Sequence, residues 1–403
     1  SEGPGSRFPP FLASGVAAGV SATLATLPIV AWHFGRVSVV GIPLTLLVAP
    51  LVALAIPGIL LSLLASIPSP HLGAFLALGV EAALTAFSGV VEWAGTLPFA
   101  SVWVSRPSVA AGCAGVAAAM ILARARPAPF LGGRRALLLV GACAGVMLWP
   151  VAAGLAGRGV LELVVLDVGQ GDALLLRSPK GRWILVDAGP KTESFDAGAR
   201  VVLPYLRRRG VTNLDLLVLT HPDMDHVGGA GAILREFPVR GVLDPGMAVG
   251  TEVFLDALDG ARASGVPWTV GTAGDSLDLD GIALRILWPR RVERESSREP
   301  DRDLADLLAE EGANGASVVL EARYGAFSAL LTGDAPAAVE SDLLPRVLSP
   351  RVQVLKVGHH GSRTSTSPEL LERLAPDLAV ISVGRRNRFG HPHPEIVRRL
   401  EAE

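Results

Sequence analysis

His221-Pro222-Asp223-Met224-Asp225-His226-Val227-Gly228-Gly229 puts two imidazoles and two carboxylates within six positions, directly behind the apolar run Leu214-Asp215-Leu216-Leu217-Val218-Leu219. The run reads as a buried strand. The side chains leaving it are those that bind divalent cations, and ordinary core packing has no use for such a cluster. A tight loop can aim His221 and Asp223 to one side. Asp225 and His226, at the start of the next helix, then aim to the other. Two metal ions can share this loop, but it fully ligates neither, so further ligands must come from elsewhere in the chain.

The remaining histidines show where. Of 8 in the chain, His33 and His71 lie in the apolar first part, and the others fall into three short motifs with His221, His226, His359, His360, His391 and His393. Asp334 follows Leu330-Leu331-Thr332-Gly333, and its carboxylate can bridge two ions. His359-His360-Gly361-Ser362 follows the apolar stretch Val352–Val357. Asp187-Ala188-Gly189 ends the stretch Trp183–Val186, where its carboxylate can orient a metal ligand by hydrogen bonding. His391-Pro392-His393 follows a basic loop. Singly, a Gly-Asp pair is usually a turn and a His pair a surface feature. Beside the His221–His226 cluster, their common position at strand ends predicts convergence.

At 403 residues the chain is too long for one core. Half of it is hydrophobic, and the excess lies before Gly157. A span needs about 20 apolar residues, and Phe11–Phe34, Val37–Leu64, Val109–Ala123 and Ala136–Leu155 are read as spans, the third being short. Pro28, Pro43, Pro50 and Pro57 interrupt the first two, either as breaks that line a path or, the reading favoured, because proline is common in membrane helices. Leu72–Leu97 carries Glu81 and Glu92 and a Trp93 border, and reads as lying along the interface. Arg36 and the loop arginines Arg124, Arg126, Arg134 and Arg135 mark the inner side. With Leu72–Leu97 not crossing, the part after Gly157 falls on the extracytoplasmic side. Cys113 and Cys143 sit in apolar runs and read as packing residues. The formal net charge of -2 argues against a generally basic nucleic-acid binder but allows a local basic groove. The start at Ser1 reads as a piece of something longer.

From Val160 onward strands come in runs with helices between blocks. Strands are expected at 163–166, 173–176, 183–186, 284–287, 318–321, 328–332, 352–357 and 378–383, and helices at 197–209, 252–264, 336–344, 368–374 and 394–400. That order suits two packed sheets with helices outside. The charged stretch Arg290–Gly312 reads as a surface insertion.

These motifs resemble the metallo-β-lactamase superfamily, and more closely the ComEC family of competence proteins. The resemblance rests on Leu166-Asp167-Val168-Gly169-Gln170-Gly171-Asp172, on the Asp variant of the metal motif at His221–Gly229, and on Leu355-Lys356-Val357-Gly358-His359-His360-Gly361-Ser362. It rests also on Ser382-Val383-Gly384 with Asn387 and Gly390-His391-Pro392, and on Leu24-Ala25-Thr26-Leu27-Pro28 with Phe34-Gly35-Arg36. It implies an α-helical transmembrane region over residues 1–158 and an αββα metallo-β-lactamase-like sandwich over 159–403. Asp223 stands where that superfamily usually has a second His. No His lies between His226 and His359, so Asn314 is the nearest substitute for the middle ligand.

The expected metal ligands are His221, Asp223, Asp225, His226, Asp334, His359 and His360, holding one or two divalent ions. An oxygen-rich set favours Mn²⁺ or Mg²⁺, with Zn²⁺ also allowed. Asp225 and His391 are the expected catalytic groups, and Arg363, Arg385, Arg386 and Arg388 the candidates to track a DNA backbone. The resemblance implies a multi-pass bacterial inner-membrane protein for DNA uptake, whose hydrolase part degrades the strand not transported and whose partners are single-stranded DNA, the lipid bilayer and other competence proteins. Two other readings stand beside it: an anchored hydrolase of another phosphodiester, and a transport module that binds DNA without cutting it.

Overall fold

The computed structural model describes residues 23, 25–97, 100–125, 141, 159–247, 249–290 and 312–402. They belong to two compact units, bounded by Ser1–Pro150 with Arg208–Gly210 and by Val151–Arg207 with Val211–Glu403.

In the first unit a hairpin of two long helices, Gly41–Ser66 and Pro70–Thr96, dominates. Small residues bring them together. A Cβ on Gly73 would meet Ser66 Oγ at 2.0 Å, and one on Gly58 would meet Val80 Cγ2 at 2.8 Å. Ser62 Oγ donates across the hairpin to the Gly73 carbonyl at 2.8 Å. Gly41–Ser66 runs unbroken through Pro50 and Pro57, so these prolines do not divide it. Leu47–Ser66 and Pro70–Thr96 are both long and apolar enough to cross a membrane. By that measure the second, read from its sequence as interfacial, qualifies as a crossing. Counting it reverses the parity on which the outward placement of the second half rested.

An apolar helix covers Ala25–Phe34, and another helix covers Arg106–Ala125. Between them the short strands β1 (Arg36–Ser38) and β2 (Ser101–Trp103) pair antiparallel, with the Arg36 guanidinium over the Trp103 ring at 4.7 Å. Cys113 is free and exposed. The expected span Ala136–Leu155 apart from Gly141, the arginines Arg126, Arg134 and Arg135, Cys143 and nearly all of the 290–312 insertion lie outside the described residues.

The second unit holds two mixed six-stranded sheets. The first has β3 (Glu162–Val165), β4 (Leu174–Arg177), β5 (Trp183–Val186), β6 (Leu216–Val218), β7 (Val242–Asp244) and β8 (Trp268–Val270), in that order. The second has β9 (Ser276–Leu279), β10 (Ile282–Trp288), β11 (Val319–Tyr324), β12 (Phe327–Leu331), β13 (Val354–Lys356) and β14 (Leu378–Val380), likewise in sequence. From β5 to β8 and from β12 to β14 the pairing is parallel.

Side chains alternate across a strand, so each central strand feeds two cores. Leu174, Leu176, Ile184, Val186 and Val218 meet Leu284, Ile286, Leu320 and Leu331 between the sheets. Their neighbours Leu175, Leu185 and Leu217 face outward onto Leu203, Leu206, Ile233 and Ala257 of the covering helices. On the far side Val319, Leu330 and Leu355 pack under Val339, Leu343, Leu370 and Leu374. The result is an αββα sandwich. Its parallel strands β5, β6, β12, β13 and β14 end towards one rim, and the loops leaving them carry the metal-ligating residues.

Candidate metal centre

Asp187, directly behind β5, is fully buried and takes a left-handed backbone with φ +60°. A non-glycine residue holds that conformation only when its surroundings over-determine it, and here they do. Asp187 Oδ1 accepts from the Thr220 backbone N–H at 2.8 Å, and Oδ2 accepts from Thr220 Oγ1 and His226 Nδ1, each at 2.8 Å. With its own proton given to Asp187, Thr220 Oγ1 is left to accept from His221 Nδ1 at 3.1 Å. His360 Nδ1 donates to the Ser382 carbonyl at 2.8 Å. Three imidazoles therefore have their Nδ1–H spoken for, and each turns its Nε2 lone pair inward.

What those lone pairs face is Asp334. Its Oδ2 lies 3.3 Å from both His226 Nε2 and His360 Nε2, and 4.0 Å from His221 Nε2 and His359 Nε2. His226 Nε2 and His360 Nε2 are 3.3 Å apart, and Asp225 Oδ2 is 3.2 Å from His360 Nε2. Atoms about 2.0–2.2 Å from a tetrahedral ion lie about 3.3–3.6 Å from one another, the edge of that tetrahedron. Four of the six pairs among Asp225, His226, Asp334 and His360 stand at 3.2–3.3 Å, close to that edge. Two inward lone pairs at such a distance repel unless a cation sits between them, so the donor set fits a divalent ion.

A second set gathers around the same oxygen. His221 Nε2 is buried without a hydrogen-bond partner and lies 3.5 Å from Asp223 Oδ2. Asp223 occupies the N-cap position of the helix Met224–Val227 yet makes no capping bond, so its half-exposed carboxylate stays with His221. His359 and His360 take consecutive left-handed backbone conformations, φ 47° and 53°. Both rings reach the same Asp334 oxygen, at 4.0 and 3.3 Å.

The electrostatics follow from this crowding. Burial works hardest to raise the Asp225 pKa, but the His360 hydrogen bond and the His226 charge outweigh it and bring it down to about 2. Burial likewise opposes ionisation of His226 and Asp334. Their mutual attraction, with Asp187 and Lys356 adding to it, still pushes His226 well above and Asp334 well below its ordinary range. His391 is held down to about 4, first by burial and then by His359, His393 and His360.

Two residues that the sequence reading quoted only within the family motifs, without a role, support the centre. Asp172 comes close enough to join a set with His226, Asp334 and His360 whose ligand atoms lie within 4.8 Å of one another. It approaches from the Nδ1 side, however, 3.8 Å from His226 and 3.7 Å from His360, where Asp187 and Ser382 already hold the protons. Its own Oδ2 is paired with the Lys356 ammonium. Asp172 therefore stands behind the ligands, and Asp225 completes the tetrahedron. Lys356, fully buried, also donates to the Gly333 carbonyl at 2.8 Å and to Asp334 Oδ1 at 3.4 Å. That engages the outer oxygen of Asp334 and leaves Oδ2 for the histidines. Gly169-Gln170-Gly171-Asp172 reads in sequence as a turn between strands; the signal for Lys356 is a cation within the apolar run Val354-Leu355-Lys356-Val357.

The stretch Gln170-Gly171-Asp172 locks the rim. Asp172 N–H donates to the Asp225 carbonyl at 3.2 Å, Ser382 Oγ donates to the Gly171 carbonyl at 2.7 Å, and Gly384 N–H donates to Gln170 Oε1 at 3.1 Å. A Cβ on Gly171, at φ +129°, would strike the Asp225 carbonyl oxygen at 2.1 Å. Gly171→Ala is expected to shift the Asp225 backbone and to lower divalent-metal affinity about 10–100-fold, the scale of loss when a group that orients a ligand is disturbed. Titration with Mn²⁺ followed by calorimetry checks it, and unchanged affinity refutes this role for Gly171.

The other expected residues lie around this core. Asn314 sits in the turn Gly312–Ala316, its Oδ1 buried without a partner. Two neighbours in the chain link that turn to the site: Ser317 Oγ accepts from Asp334 N–H at 3.3 Å, and Val318 N–H donates to the Thr220 carbonyl at 2.8 Å. The His391 ring stands 5.6 Å from that of His359, its Nδ1 buried and unpartnered. Arg363 lies 3.9 Å from Glu395 and 3.4 Å from His393. Arg385, Arg386 and Arg388 are exposed, and none is in an ion pair among the described residues.

A two-sheet sandwich with a His- and Asp-rich centre at its rim defines the metallo-β-lactamase class of protein. Residues 166–385 match the family model described as the metallo-beta-lactamase superfamily, and residues 5–128 match the one described as competence protein. With the two matches side by side, the chain belongs to the ComEC family of competence proteins. It is 27% identical over 395 residues to ComE operon protein 3 of Bacillus subtilis (strain 168), covering 94% of this chain and 48% of that protein. Recombination protein 2 of Haemophilus influenzae is 35% identical over 239 residues, covering 59% of this chain and 26% of that protein. The chain thus spans about half the length of the first relative and about a quarter of the second. Among solved structures, the metallo-beta-lactamase fold protein YhfI from Bacillus subtilis aligns with a TM-score of 0.36 and 11% identity, covering 60% of this chain and 93% of that one.

Proposed function

We propose that this chain joins a membrane channel region over 1–158 to a metal-dependent phosphodiesterase over 159–403, which cleaves single-stranded DNA during its uptake at the bacterial inner membrane. The single observation behind the hydrolase reading is the convergence of the His221, His226, His359 and His360 Nε2 atoms on one oxygen of Asp334. Asp225, His226, Asp334 and His360 would hold one ion, and His221, Asp223, Asp334 and His359 a second, with Asn314 the nearest further oxygen.

Mn²⁺, Zn²⁺ and Mg²⁺ are the candidate ions. A divalent ion supplies a more acidic bound water and neutralises phosphate charge. Asp187 and Thr220 hold the His221 and His226 rings in register, and the Ser382 carbonyl does the same for His360. Asp225 is the ligand whose backbone the Gln170–Asp172 stretch fixes. His391, one ring beyond His359 and neutral near pH 7 with its pKa held down to about 4, contacts the scissile phosphate as a hydrogen-bond donor. Arg363, Arg385, Arg386 and Arg388 draw the phosphate backbone to the rim. The competence region and its apolar hairpin support placement in the inner membrane, with the bilayer, DNA and other competence proteins as partners.

The test is cleavage of single-stranded DNA by the full chain in detergent with Mn²⁺, expected to disappear on chelation and in Asp225→Ala. Hydrolysis of small diesters without any DNA cleavage points to an anchored hydrolase of another substrate. Full metal occupancy with no hydrolysis points to a transport module that only binds.

A further inference from the structure

Beyond the metal-facing rings, a row of aromatic side chains continues out to solvent. The His359 and His391 rings stand 5.6 Å apart at 79°, and the next contact, from His391 to Phe389, is 5.8 Å at 25°, close to parallel. The Arg388 guanidinium lies 5.2 Å from the Phe389 centroid. Phe389 is 51% exposed, and it is the only exposed Phe or Trp among the described residues of the second unit. Its position is fixed by the backbone. Asn387 Oδ1 accepts from the Phe389 and His391 N–H groups at 3.1 and 3.0 Å, and Asn387 Nδ2 donates to the Gly384 and His391 carbonyls at 2.9 and 2.7 Å. One side chain thus staples the loop at both ends, and an apolar ring is held rigidly in water.

We propose that Phe389 is a stacking platform for an unpaired nucleobase next to the scissile phosphate, a subsite that selects single-stranded nucleic acid. The proposal rests on the phosphodiesterase reading above and adds what that site takes. A phosphate at the metal centre lies against His359 and His391, and the next ring outward is Phe389. Every base offers a flat face, so a lone aromatic ring binds without regard to sequence. The cations on the same loop, Arg385, Arg386 and Arg388, complement the phosphates on either side. A base paired in a duplex has no free face to offer, so the platform favours single strands.

The experiment compares a fluorescent oligothymidylate with an abasic deoxyribose-phosphate oligomer of equal length, binding by anisotropy to the full chain in detergent and EDTA. Stacking contributes about 1–3 kcal/mol per base, and about 1.4 kcal/mol is tenfold. Phe389→Ala is expected to lower the ratio of base-bearing to abasic affinity about tenfold, and Phe389→Trp to preserve it. Equal losses on both oligomers, or a ratio unmoved by Phe389→Ala, overturn the platform. A wild-type chain that cleaves DNA yet binds both oligomers alike also overturns it, leaving the phosphodiesterase reading intact. A wild-type chain that binds neither oligomer likewise overturns the platform, while the phosphodiesterase reading stands or falls on cleavage in Mn²⁺.

Discussion

Asp334→Ala is expected to strip the chain of bound divalent metal and to lower phosphodiester hydrolysis by about 10³-fold or more. No other side chain is shared so widely: its Oδ2 is within 4.0 Å of four imidazole nitrogens, and its Oδ1 accepts from Lys356. Metal charge stabilisation is worth several kcal/mol, and each 1.36 kcal/mol is tenfold in rate. Losing Asp334 Oδ2 would remove the donor common to both proposed ligand sets. Asp223→Ala would remove a half-exposed donor from one set only, so it is expected to act much more weakly. Metal content by mass spectrometry after dialysis, read beside turnover, checks the pair. Comparable metal retention in Asp334→Ala and wild type would refute the shared-oxygen reading.

The contrast between Asp334 and Asp172 shows what the sequence could and could not tell. Asp334 was legible only beside the His221–His226 cluster: singly its Gly-Asp pair reads as a turn, but it follows the apolar run of β12, at a strand end like the other candidates. The helices Glu252–Ser264 and Pro368–Leu374 and the strand Trp183–Val186 were legible for a similar reason, since their apolar periodicity and flanking breakers agree. Three short strands, β7, β8 and β9, were not expected. Val242–Asp244 and Trp268–Val270 have three residues each, too few for a period, and Ser276–Leu279 is a mostly exposed edge. Asp172 hid inside a Gly-rich stretch that also satisfies every rule for a turn. Its role depends on which side of two rings it approaches, and that is set by partners more than fifty residues away. The prolines of Gly41–Ser66 were open in sequence to either reading, as breaks or as the ordinary prolines of membrane helices, and the helix runs unbroken through Pro50 and Pro57.

Lys356 carries the other large expected effect, on stability. Its ammonium is fully buried and finds three acceptors in Asp172, the Gly333 carbonyl and Asp334 Oδ1, which match its three donors. Burial opposes its charge more strongly than any single partner supports it, yet Asp172 and Asp334 together raise its pKa above the ordinary lysine value. Lys356→Met removes the cation and strands the Asp172 carboxylate in the interior, a loss of about 3–5 kcal/mol. In a unit of this size about 1 kcal/mol corresponds to about 2–4 °C, so melting by circular dichroism in EDTA is expected to fall by about 6–20 °C. Taking out the stranded charge as well should recover part of that. The double variant Lys356→Met with Asp172→Asn is expected to melt above Lys356→Met alone, because a neutral amide tolerates the site that an unpaired carboxylate does not. A purely steric role for Lys356 predicts the reverse, with the second substitution adding its own loss. A double variant that melts below the single one would therefore rule out the ion pair as the source of the effect.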